Sequence, residues 1–148
     1  MYKHVLIGTD GSALGDRAVM HGLALAKTEQ ARVTIVTATE PWSAFDVAAE
    51  ARNHNPNPVQ QFEDMAAAAA KQILDAAVAK AKAAGVACAV LHVPNRYAAD
   101  AIIETVEEVG CDLIVMASHG RRGIDRLLLG SQAYEVLTRC NVPALIVK

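Results

Sequence analysis

The feature that most limits how this chain can fold is an alternation. Five short apolar runs, at residues 4–7, 32–38, 86–93, 112–116 and 144–147, are separated by segments with helical spacing. The second run, RVTIVTA, is rich in the β-branched residues that strands favour. Helical patterns occupy residues 13–27, 60–84, 98–109 and 131–140, and Gly85 and Gly110 stand where C-caps are expected. Asp10 or Ser12 can cap the first helix. Strands that alternate with helices form right-handed βαβ units around a buried parallel sheet. The expectation is one α/β domain over residues 1–148, with helices on both faces and strand order 3-2-1-4-5.

Composition narrows the function classes. Hydrophobic residues make up 53% of the 148, too many for a disordered chain. No apolar run reaches the roughly 20 residues that a membrane span needs, so no membrane partner is expected. The formal net charge is −2, without a basic cluster, which argues against a nucleic-acid partner. The three cysteines, Cys88, Cys111 and Cys140, form no C-x-x-C pair. With no signal-like leader either, a cytoplasmic location is expected. His4, His21, His54 and His92 share no metal-ligand spacing. Met20, Met65 and Met116 read as core filler.

Residues 41–59 break the rhythm, with three of the five prolines and the only tryptophan. They read as a long loop, which in a compact domain is functional or mobile. Trp42 and Phe45 either close over a ligand or shield the edge of the core.

The chemistry concentrates in MASHGRRGIDRLLLGSQ, residues 116–132. An apolar strand runs into Gly120; after nine intervening residues, Gly130-Ser131 can open a helix. Glycine lets backbone N–H groups approach a ligand, and a helix start adds unpaired donors and a positive dipole end. Together they form a phosphate cradle; the alternative is that the glycines merely permit tight turns. In open α/β sheets ligands bind beyond the carboxyl ends of the strands, where the order reverses. In a 3-2-1-4-5 sheet that crevice receives Thr9 and Asp10 from the first strand, Ala38 from the second and residues 116–120 from the fourth. Asp10 would repel phosphate, so it suits a nucleoside amino or hydroxyl group, or the helix cap. His119 lies inside the loop without a partner carboxylate at telling spacing, and reads as orienting the backbone or facing solvent. Arg121 or Arg122 can clamp a phosphate, and at most one of these adjacent side chains is expected to do so.

These residues resemble the universal stress protein family. The resemblance rests on Asp10-Gly-Ser12 after the first strand and on Ala117-x-x-Gly120-x9-Gly130-Ser131 after the fourth. It extends from YKHVLIGTDGS to the closing VPALIVK. It implies a 3-2-1-4-5 sheet, a homodimer and, for one subgroup, ATP binding. Matched position by position, Gly120, Gly130 and Ser131 correspond to the phosphate loop, Asp10 to the adenine-contacting aspartate and Ala38 to the adenine-facing backbone. The expected nucleotide contacts are thus Thr9, Asp10, Ala38, Met116, Ala117, His119, Gly120, Arg121, Gly130, Ser131 and Gln132. Ala117 departs from the motif, standing where its first glycine would be; the methyl keeps the N–H and tolerates an ordinary backbone conformation.

The expected function is an adenine-nucleotide-binding regulatory module acting as a homodimer through residues 144–147. ATP, or AMP or ADP, is the expected ligand, with magnesium as a companion to the phosphates. No catalytic residue, metal site or Walker lysine is visible, so ATP hydrolysis is expected to be slow at most. The alternative is a nucleotide-free, dimerising member of the family. An adenylating enzyme would need a longer loop than TDGS. A phosphoacceptor domain would need an aspartate at the end of the third strand, where His92-Val93-Pro94 stands.

Overall fold

The computed structural model describes residues 1–120 and 128–148. In chain order the elements are β1 (His4–Gly8), α1 (Ala13–Glu29), β2 (Arg32–Thr39), α2 (Ala44–Arg52) and α3 (Pro58–Ala84). They continue as β3 (Cys88–Pro94), α4 (Ala98–Val109), β4 (Leu113–Ala117), α5 (Ser131–Arg139) and β5 (Ala144–Val147). The five strands form one parallel sheet in the order β3-β2-β1-β4-β5.

The alternation of side chains along β1 divides the core. Val5 and Ile7 face Val19 and Leu23 of α1 and Leu74 and Ala77 of α3. Leu6 faces the other way, towards Ile102 and Val106 of α4 and Val136 of α5. Val5, Leu6 and Ile7 are fully buried, as the central strand of a two-faced parallel sheet requires. On the first face Gly22 lets α1 sit close to the sheet; a Cβ there would lie 2.5 Å from Ile7 Cδ1.

Three expectations are corrected. Residues 41–59 are not one loop, because they contain α2. That helix begins with a capping box in which the Ser43 hydroxyl accepts from Asp46 N and the Asp46 carboxylate accepts from Ser43 N. It buries no residue, so its apolar spacing carries no helical signature. Met20 and Met65 are exposed, at 51% and 65%, on the outer faces of α1 and α3, whereas Met116 is core as expected. β3 begins at Cys88, not at residue 86, because Val86 N–H is taken by the Ala81 carbonyl in the C-cap of α3. Gly85 and Gly110 do adopt the left-handed cap conformation, with φ of 71° and 67°.

Candidate nucleotide-binding crevice

The strand order reverses between β1 and β4, and a cavity of about 590 Å³ opens beyond their carboxyl ends. Three strands reach it. β1 continues into Thr9 and Asp10, β2 supplies Ala38, and β4 supplies Met116 and Ala117 followed by His119 and Gly120. The start of α5 closes the far side with Gly130, Ser131 and Gln132. Ten of the eleven residues expected from the sequence therefore line one crevice; Arg121 lies outside the described residues.

The β1–α1 turn is held by its own side chains. Asp10 Oδ1 accepts from Ser12 N at 3.0 Å and from Ser12 Oγ at 2.6 Å, and Ser12 Oγ accepts from Gly15 N at 3.0 Å. Ser12 is thus the cap of α1, and Asp10 braces the cap. The same carboxylate borders the β4 loop: a Cβ on Gly120 would lie 3.2 Å from Asp10 Oδ2. Gly15, which sequence reasoning passed over, makes room for it. A Cβ there would lie 2.7 Å from Asp10 Oδ1 and 2.9 Å from Thr9 Oγ1. A glycine in the first turn of a helix was the available signal.

The β4–α5 side is built on close backbone approach. Ser118 N donates to Val147 O and Gly130 N to Ser118 O, both at 2.8 Å. A Cβ on Gly130 would meet Ser118 O at 2.6 Å, so this glycine is required by the loop's own backbone and not by open space for a ligand. Its N–H is likewise taken within the loop. The available donors lie one step further on. Gly130 caps α5 with no side-chain oxygen, and the first-turn N–H groups of Ser131, Gln132 and Ala133 have no cap partner among the described residues.

The other helices that begin at the crevice differ. α1 has Ser12, and α4 has Gln132, whose Oε1 accepts from Ala99 N at 2.9 Å. Among the described residues, α5 alone presents an uncapped positive end here. His119 Nδ1 is 2.9 Å from Ser118 Oγ, while its Nε2 is buried without a hydrogen-bond partner among the described residues. Ala117 carries no backbone strain, since its φ is not positive and it pairs in register with Val147. No group of three or more metal-ligating side chains exists among the described residues.

The fold is an open parallel α/β sheet with a crevice at its switch point. The universal stress protein family model matches residues 1–148, and the chain belongs to that family. It is 30% identical over 155 residues to a universal stress protein of Thermus aquaticus, covering all of both chains. To YxiE of Bacillus subtilis it is 27% identical over 152 residues, again covering all of both. A solved universal stress protein described as in complex with cAMP is 33% identical, with TM-score 0.71 and 99% and 97% of the two chains covered. MJ0577, a solved protein 23% identical, has the same fold with TM-score 0.81, covering 100% of this chain and 96% of its own.

Proposed function

We propose that this crevice binds an adenine nucleotide and that the chain is a regulatory module, with ATP as the working ligand and AMP and ADP as shorter occupants. The observation that carries this reading is the uncapped start of α5. Three N–H groups and the positive end of a helix dipole face a crevice whose other helix starts are already satisfied. The relative described with cAMP supports an occupant that has an adenine base and a phosphate. Asp10 and the backbone of Ala38 then face the nucleoside, and Ser131 and Gln132 hold the phosphate nearest α5. Gly120 gives the loop close access to the ligand, and magnesium, where present, rides on the phosphates. The module is proposed to hold its nucleotide with slow hydrolysis at most.

The test is to denature freshly purified protein, identify the released nucleotide by mass spectrometry, and titrate stripped protein with ATP and AMP by calorimetry. A 1:1 adenine-nucleotide complex is expected. Absence of binding at millimolar nucleotide overturns the proposal and leaves a nucleotide-free interaction partner.

The same reading includes a homodimer through β5. This four-residue edge strand exposes Leu145, and the adjoining α5 exposes Tyr134 and Leu137. Val147 and Pro143 carbonyls accept from Ser118 and Ile114 N–H on the β4 side. By alternation, the N–H groups of Ala144 and Ile146 point to the open edge, and pairing about a two-fold axis satisfies them. Ile146→Pro deletes one such donor and should shift sedimentation towards monomer. A wild-type chain that sediments as a monomer at high micromolar concentration overturns the dimer.

A further inference from the structure

The start of α4 forms one wall of the crevice, and the residue at its cap position is Tyr97. Tyrosine is a poor choice there. Helix starts favour Ser, Thr, Asp or Asn, whose oxygens satisfy the first N–H groups, and Tyr97 makes no cap hydrogen bond. The helix obtains its oxygen from elsewhere, as Gln132 Oε1 reaches across from α5 to Ala99 N. A ring has therefore been placed where helix stability alone would select a small polar side chain. It is also not in the core: Tyr97 is 51% exposed, although the next turns of the same helix bury Ala101 and Ile102 completely or nearly so.

The position of the ring within the crevice is set by the backbone. β3 ends at Pro94, Asn95 turns with φ of 59°, and Arg96 N donates to Thr39 O at 3.0 Å. Tyr97 is thus held one residue from a hydrogen bond to the end of β2, the strand that contributes Ala38. The same hydrogen bond sets Tyr97 beside the end of β2, next to the Ala38 backbone assigned to the base, while Gln132 Oε1 joins this helix start to α5. A half-exposed aromatic at the nucleoside end offers a flat apolar face to a planar base, and such stacking tolerates any base because every base has a π-face.

We propose that Tyr97 is the stacking platform for the nucleobase, a positioning residue that orients the ligand and gives up a helix cap to do so. This rests on the nucleotide reading above.

The experiment compares wild type, Tyr97→Phe and Tyr97→Ser, using AMP as the probe. Calorimetry reads affinity, thermal melts read stability, and the AMP H2 and H8 proton resonances report ring-current shifts in the presence of protein. Tyr97→Ser restores a favoured cap, so its Tm should rise or hold while its AMP affinity falls about tenfold. The upfield ring-current shift should survive in Tyr97→Phe and disappear in Tyr97→Ser. Equal AMP affinity in wild type and Tyr97→Ser overturns the platform while leaving the nucleotide reading intact. An affinity loss in Tyr97→Phe as large as in Tyr97→Ser makes the hydroxyl the contact, which also overturns it. Failure of the wild type to bind AMP or ATP overturns the nucleotide reading and this proposal together.

Discussion

At the amino ends of β1 and β4, the Asp112 carboxylate accepts from Lys3 N at 2.8 Å and His4 N at 2.9 Å. The Asp112 N–H donates back to His4 O, and Arg32 N donates to Lys3 O. At the carboxyl ends of the same sheet, strands stop short, glycines replace side chains, and α5 opens without a cap. The two ends share the same strands and differ in what is left unsatisfied. At the amino end the backbone groups of Lys3, His4 and Asp112 are consumed in joining neighbouring strands, while His4 Nδ1 is buried without a partner among the described residues. Several polar groups at the carboxyl end face a cavity, and an unmet buried donor costs free energy until something meets it. The contrast separates backbone groups that hold the sheet from the helix start on which the nucleotide proposal rests.

The largest effect is expected from Gly130→Val, the substitution that most directly damages the open end. A Cβ 2.6 Å from Ser118 O forces the 118–119 backbone away from the start of α5. AMP affinity should fall by about tenfold or more, with a lower Tm. Unchanged affinity in a folded variant would break the assignment of this loop to the site. Asp112→Ala probes the closed end. It removes two charge-assisted hydrogen bonds and should lower stability by about 2 kcal/mol in denaturant titration, with AMP affinity unchanged. A loss of affinity of similar size would show that the two ends are not independent.

The smallest effect concerns His4, buried at the closed end with Nε2 2.8 Å from Thr34 Oγ1. Burial, reinforced by the Arg32 charge, holds its pKa below the usual histidine value. The unfolded chain then binds the additional proton, so stability is full above about pH 6.5 and declines as pH falls below it. Thermal melts between pH 7.5 and 5.5 should show this slope, and His4→Gln should flatten it. An identical slope in the variant would sink the role of His4.

Much of the sheet was legible because parallel strands buried on both faces read as apolar runs, and each of the five runs became a strand. α2 was hidden for the converse reason. It buries nothing, so only Ser43 and Asp46, spaced as a capping box, betrayed it. In the crevice, Asp10, Gly120 and Gly130 were legible through strand ends and glycine spacing. The need for Gly130 was not, because it arises from Ser118 O, a backbone atom that no motif names. Tyr97 carried no signal at all. It reaches the site only because β3 pairs with β2, and that contact across the fold is invisible along the chain.

The length of α3 has a consequence of its own. Its buried residues begin at Ala70, so the twelve residues before it, about 18 Å of helix, form an overhang that the sheet does not support. There the chain is held by backbone geometry, by the alanine-rich composition of residues 66–70 and by contact with α2, and no residue of it is fully buried. Such a segment opens and closes while the rest stays folded. Its amide protons accordingly belong to a separate, faster class of hydrogen exchange than those around Leu74 and Ala77, within a single unbroken helix.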